Sequence, residues 1–379
     1  MIDSNTQKPS FSLVFISSSF IIIWCIIAAF PIFWITVMSI KIPVDAFSSN
    51  PFIVIFGPET SKNYSSLSLL NLFFLSIYIF TIIKFYKFFS SYLSRALNFN
   101  KYLSILILVI FSLIILFFFN KLISLELNPI VGSFGNPIFG FTFEYYNIVW
   151  FERGFLNNFK NSIIVTSGVV IISLTFGTLA GFALARTKSS IAFWILVVAL
   201  IFRSLPHSVL VAGYLPFFVN SAEIMYPILG EFSPTLFGKP LAVIAVLVAI
   251  NQPFTIWMMR SFFQNIPSEL DEAARIDGCT HFQAFIKIIL PVMWPGVITT
   301  GLFSFMLGYN DYLVTSLLLD GPNQTMVPAI SGLFNRDTTS TDQIVAIAAA
   351  VSITAPLFFL VLFFQRQIIS GLTAGAVKG

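Results

Sequence analysis

Charge is what this chain lacks most. Only 9% of its 379 residues are Asp, Glu, Lys or Arg, against 57% that are hydrophobic; soluble domains carry roughly 25% charged residues. A water-soluble fold cannot bury that much apolar surface, so lipid is the solvent for most of the chain. Cysteine and histidine are nearly missing too. Cys25 falls in an apolar run and Cys279 in a charged segment, at different depths, so neither a disulfide nor a metal site is expected. His207 and His281 stand apart from other metal ligands. The patterns H-E-x-x-H, G-x-x-x-x-G-K-[ST] and G-x-G-x-x-G do not occur, so no short motif holds zinc, ATP or a dinucleotide, and no cofactor is expected. The net charge of +4 is spread over loops, which excludes a nucleic-acid partner of the basic-patch kind. The 46 Phe accompany abundant Ile, Asn and Lys, which points to codon bias in an AT-rich genome rather than to an aromatic binding site.

What is present is a series of long apolar runs, at about 12–39, 67–83, 102–120, 162–184, 190–215, 240–259, 293–318 and 343–364. A spanning helix needs about 20 mostly apolar residues, so the sequence predicts eight spans. The first run is too long for a signal-peptide core and no small-x-small cleavage site follows it, so it is expected to remain as a helix. Pro206, Pro216 and Pro253 are expected to break their helices.

Lys and Arg in short loops give the orientation. Lys84, Lys87, Arg95 and Lys101 occupy one loop, Arg186 and Lys188 another, and Arg366 and Lys378 the tail, each without an acid. With eight spans these lie on one side, the cytoplasm, together with both termini. The segment 260–291 falls on that side as well. Runs 67–83 and 102–120 form a candidate hairpin, and as a pair they leave the sidedness of everything downstream unchanged.

Segment 260–291 is a charged island between two apolar runs. It holds Glu272-Ala273-Ala274-Arg275-Ile276-Asp277-Gly278 and then Ile288-Ile289-Leu290-Pro291. Pro267-Ser268 signals a helix start, with Ser268 as cap and Asp271 completing a box-like pattern. Leu270, Ala273, Ala274 and Asp277 share a helical face, and the adjacent alanines admit a close partner surface. Gly278 suits the left-handed position that ends a helix. Thr280 restarts one with Gln283 three residues on. Phe282, Phe285, Ile286 and Ile289 form an apolar stripe, and Pro291 is expected to stop the element.

The spacing Glu-Ala-Ala, three residues, Gly, nine residues, Ile-x-Leu-Pro resembles the EAA loop of ABC importer permeases. Arg260-Ser261-Phe262-Phe263 and Ile266-Pro267-Ser268-Glu269-Leu270 look like that family's lead-in. Gly371-Leu372-Thr373-Ala374-Gly375-Ala376-Val377-Lys378-Gly379 resembles the tail of its maltose-type carbohydrate permeases. Gly308-Tyr309-Asn310-Asp311-Tyr312 looks like their Trp-Asn-Asp/Glu-Phe segment, with Tyr309 in place of Trp. Pro31-Ile32-Phe33-Trp34 and Ser39-Ile40-Lys41 resemble the end of their first span. The match covers roughly 1–56 and 142–379; residues 57–141 depart from it.

The resemblance implies an all-α polytopic membrane protein with a six-span importer permease core, to which the two extra apolar runs add an inserted two-helix hairpin. It implies a tail and first span at 1–56, the insertion at 57–141, and the core at 142–379 with a tail at 366–379. It implies a multi-pass protein of the bacterial inner membrane that catalyses no covalent chemistry. The implied partners are membrane lipid, a second permease subunit, two ATP-binding subunits and an extracytoplasmic solute-binding protein. Glu272, Ala273, Ala274, Asp277, Gly278, Leu290 and Pro291 would meet the ATPase. The implied cargo is a sugar or polyol.

Polar groups inside spans are expensive and usually functional or paired, so Arg203, His207, Gln252, Tyr309, Asn310 and Asp311, with Asn251, are candidates for the substrate path. Arg203 can line a cavity, pair with Asp311 or snorkel; Asp311 can equally sit solvated at a span's outer end. The rival readings are an importer for another solute, such as a glycerophosphodiester or peptide, a secondary transporter, and a non-transporting anchor. A secondary transporter predicts inverted repeats or paired intramembrane acids, and neither is evident.

Overall fold

A computed structural model describes residues 11–68, 72–73, 76, 137–187, 189–334 and 339–374. The runs 67–83 and 102–120 lie almost wholly outside the described residues. The chain divides into two compact units, Met1–Tyr145 and Tyr146–Gly379.

In the first unit, α1 (Phe11–Ser39) is apolar on every side and exposed along most of its length, the character of a membrane span. Three short helices follow, α2 (Pro43–Ala46), α3 (Pro51–Phe56) and α4 (Pro58–Asn63), each with proline at its start, where a missing N–H costs no helical bond. Strands β1 (Ser65–Ser68) and β2 (Pro137–Phe141) pair antiparallel, Ser65 opposite Phe141 and Ser68 opposite Pro137. This ribbon is an addition to the all-helical expectation, and it brings residues 68 and 137 side by side. Lys41 and Asp45 are fully buried among these elements. Asp45 Oδ2 accepts from the Thr60 amide and hydroxyl, 2.6 Å each, and Oδ1 from the Glu59 amide at 3.3 Å. Those amides are first-turn donors of α4 that lack helical partners. Lys41 Nζ donates to the Gly140 carbonyl and lies 3.5 Å from the Phe139 ring centroid. Gly57 turns with φ +64°, and a Cβ there would come within 2.8 Å of Lys41 Cδ.

The second unit is a helical bundle: α5 (Phe155–Arg186), α6 (Ser190–Arg203), α7 (His207–Val219), α8 (Ser221–Leu229), α9 (Pro240–Gln264), α10 (Glu269–Ile276), α11 (His281–Val292), α12 (Trp294–Tyr309), α13 (Leu313–Leu318), α14 (Met326–Phe334) and α15 (Ser340–Ala374). Helices α5 and α9 run parallel in close contact. Small residues allow it: a Cβ added at Gly168 would meet Ile244 at 2.6 Å, at Gly177 Thr255 at 2.4 Å, and at Gly181 Met259 at 2.6 Å. Without a hydrophobic drive between helices in lipid, such close backbone approach is the main source of packing energy. One apolar core joins Val165 and Val169 of α5 to Val211, Leu247, Val314 and Leu318; a second joins Met259, Phe262 and Phe263 of α9 to Phe285, Ile289 and Met293.

Among the described residues, four helices are long and apolar enough to cross a membrane, or up to six if each of two bent pairs is one span. The six match the predicted runs outside 57–141, with two corrections. The run 190–215 is not one rod: α6 and α7 meet at 95° across Ser204–Pro206. The run 293–318 ends its long helix at Tyr309 and continues as the short α13, while a 78° bend precedes it between α11 and α12. Of the three prolines, Pro206 lies at a break; Pro216 and Pro253 sit within α7 and α9 without ending them.

Candidate functional site

The charged island folds as a helix, a tight turn and a second helix. Ser268 does not cap α10 with its side chain; its backbone is already helical, and Asp271 is engaged elsewhere. Gly278 has φ +87°, its amide donates to the Arg275 carbonyl at 3.1 Å, and the Cys279 amide donates to Ala274 at 3.0 Å. This is the paired bonding of a Schellman end, which needs a residue that tolerates positive φ. Thr280 then caps α11: its hydroxyl accepts from the Gln283 amide at 3.3 Å while the Gln283 side chain accepts from the Thr280 amide at 3.0 Å. The helix continues through Leu290 and Pro291 to Val292, so Pro291 does not stop it.

The two predicted faces divide on folding. Ala274 is buried at 1% exposure, whereas Ala273, Glu272, Asp277 and Gly278 are exposed and Ile276 is 86% exposed. The alanine pair therefore gives one contact inward and one outward. Phe285 and Ile289 enter the core, Leu290 packs partly against it, and Phe282, Ile286 and Pro291 face out. The Phe285 ring lies tilted against Phe182 at 4.8 Å, and Phe182 meets Phe263 edge-on at 5.3 Å. Beside them Arg186 Nε donates to Asp271 Oδ2 at 2.5 Å, and Nη1 to the Phe263 and Ile266 carbonyls at 3.2 and 3.1 Å.

The path candidates do not gather into one site. Arg203 ends α6 with its guanidinium 4.6 Å over the Phe254 ring, beside a half-open cavity of about 250 Å³ that Leu210, Tyr214 and Pro253 help to line. His207 starts α7 across the break, within electrostatic reach of Asp311. Asp311 accepts from the Thr315 amide at 2.9 Å and so holds the start of α13; it makes no ion pair with Arg203. Asn310 is exposed. The others tie helices together. Asn251 donates to Ser304 at 2.7 Å, Gln252 to the Ser173 carbonyl at 3.5 Å, and the buried Tyr309 hydroxyl to Ile353 at 3.1 Å.

Residues 173–373 match the family described as "Binding-protein-dependent transport system inner membrane component". The chain belongs to this family. It is a membrane-embedded transport component rather than an enzyme. It is similar to the maltodextrin transport system permease protein MdxG of Bacillus subtilis, 30% identical over 63% of this chain and 81% of that one. It is 32% identical to the diacetylchitobiose uptake system permease protein DasC of Streptomyces coelicolor over the same shares. It is also 31% identical to the trehalose/maltose transport system permease protein MalG of Thermococcus litoralis, over 58% of this chain and 74% of that one. A crystal structure of a bacterial ABC transporter involved in the import of the acidic polysaccharide alginate is similar at a TM-score of 0.49 and 19% identity, covering 68% of this chain and 96% of that one.

Sequence reading missed two features of this permease. Arg186 registers in the sequence only as a loop charge, because its partner lies 85 positions later. Gly177-x-x-x-Gly181 is a visible small-residue signal, but its partner helix is fixed only by packing.

Proposed function

We propose that the chain is a permease subunit of an ATP-driven, binding-protein-dependent importer for a carbohydrate or polyol, coupled to ATP-binding subunits through residues 260–291. One observation carries the coupling: the island holds Glu272, Ala273, Asp277 and Gly278 on an exposed face, while Ala274, Phe285 and Ile289 anchor it to the bundle. A surface anchored on one side and open on the other suits the receipt of force. In this reading the island faces the cytoplasm and closure of two ATPase subunits draws it inward. The bundle and a second permease then rock between inward and outward access, and a solute-binding protein delivers cargo from outside. The names of the maltodextrin, diacetylchitobiose and trehalose/maltose relatives support a carbohydrate.

Arg203, His207, Asn310 and Asp311 remain the proposed substrate contacts, near the α6–α7 break and the end of α12. Gln252 and Tyr309 hold the walls. The tail 366–379 is proposed to reach the ATPase subunits; residues 375–379 lie outside the described residues. The test is uptake by proteoliposomes carrying the permease with its ATPase, partner permease and binding protein. Radiolabelled maltotriose, trehalose and diacetylchitobiose serve as probes. ATP-dependent entry of one of them is expected. Entry driven by a proton or sodium gradient without ATP would overturn the reading.

A further inference from the structure

We propose that Arg186 is a positioning residue that makes the island move as one body with α5 and α9, so that force received by α10 reaches the spans. The inference rests on the coupling reading above and adds the residue that transmits it. Arg186 is the last residue of α5. Its single guanidinium bonds three elements: α5 carries it, the Phe263 and Ile266 carbonyls at the end of α9 accept from Nη1, and Asp271 in the first turn of α10 accepts from Nε. The end of a helix is the negative end of its dipole and the start of the next is the positive end. The cation and the carboxylate each sit where the backbone favours them. A lysine ammonium lacks the planar fork that reaches such acceptors together.

The surroundings make this tie unlike a surface ion pair. The Arg186 and Asp271 side chains are 22% and 19% exposed, and Nη2 and Asp271 Oδ1 are buried without a partner. Exposed pairs contribute little; here, loss of either partner leaves the other charge in a dry place. The neighbouring ring cluster of Phe182, Phe263 and Phe285 fastens α11 to the bundle. Helix α10 has much less to hold it, for Ala274 is its one buried residue. The Asp271–Arg186 bond is therefore the main link between α10 and α5, and its loss should loosen α10 without opening the bundle.

The test places spin labels at Arg275→Cys, exposed on α10, and Asn157→Cys at the start of α5, in a background free of Cys25 and Cys279, and compares the distance distribution with and without ATP and vanadate in the complex with its ATP-binding subunits. Wild type should give one narrow distribution that nucleotide leaves in place. Asp271→Asn and Arg186→Gln should broaden it about twofold, because a locally released helix samples many positions. Asp271→Glu should restore the narrow form. Asp271→Asn leaves the Arg186 bonds to α9 intact, so it reports on the link even where Arg186→Gln harms assembly. Equal widths in wild type and Asp271→Asn, or a wild-type distance that shifts with nucleotide, would overturn the proposal. Failure of the coupling reading appears separately, as ATP-binding subunits that do not co-purify with wild type, and the widths can still be measured on the permease alone.

Discussion

Gly278 sets the turn between the two island helices. Its positive φ closes the Schellman turn, and an added Cβ would meet no atom within 4 Å. A side chain there is resisted only by backbone strain, about 1–2 kcal/mol for a residue forced left-handed. Gly278→Val should therefore insert into the membrane normally yet misdirect the exposed face of α10, and Glu272→Lys should reverse the charge offered there. Both are expected to retain membrane levels and to cut uptake per ATP hydrolysed; normal uptake by both would remove the island from the coupling path. Lys41 offers a different residue-scale test. Burial pushes its amine down to about 8, opposed by the Asp45 charge. With the folded value below the unfolded one, the unfolded chain binds more protons between about pH 8 and 10.5, so stability rises with pH through that window. The gain is on the order of 3 kcal/mol. In thermal unfolding at pH 7 to 10, wild type should gain on Lys41→Met as pH rises, and parallel curves would show that the amine is not held away from water.

Among elements, the pairing of α5 with α9 was only half legible. Both runs are apolar enough to be found from sequence, and the small residues at 168, 177 and 181 are plain to see. Which helix they approach is decided only by packing, which lays α9 parallel to α5 with Ile244, Thr255 and Met259 against those glycines. The contact is tight enough to test with one methyl group. Gly177→Ala should destabilise the bundle by about 1–3 kcal/mol through overpacking, because its Cβ would meet Thr255 Cγ2 at 2.4 Å. Thr255→Ser removes that methyl and should recover most of the loss, read as the unfolding midpoint in detergent. No recovery in the double variant would mean that the two helices are not in contact at this point.

For the second unit as a whole, the island lies at the C-terminal end of α5. The Asp320–Thr325 loop lies at the other end, where Asn158 and Asn161 donate to the Gln324 carbonyl at 2.9 and 3.2 Å. Arg186 and Asn158 are 28 positions apart in one helix, which at 1.5 Å per residue is about 40 Å, enough to cross a bilayer. Cysteines placed at the exposed Ser268 and Glu231 should therefore be modified from opposite sides, Ser268→Cys only from the cytoplasm. Labelling of both from one side would overturn the crossing, and labelling of Ser268→Cys from outside would invert the topology drawn from the basic loops. The hairpin proposed from runs 67–83 and 102–120, which lie almost wholly outside the described residues, is open to the same approach at Ser90, expected to be cytoplasmic.

The sequence by itself determined the solvent, the six apolar runs of the core and the Gly278 turn, with Thr280 as the cap of the second island helix. Each depends on composition or on neighbours within four residues. Tertiary structure alone decided that Tyr309, Gln252 and Asn251 bond between helices. It also decided that Ala274 turns inward while Ala273 turns out, and that Arg186 meets Asp271. The physical reason is the same in each case. A polar side chain in lipid must find a partner, and which partner lies within hydrogen-bond reach depends on how helices distant in sequence pack.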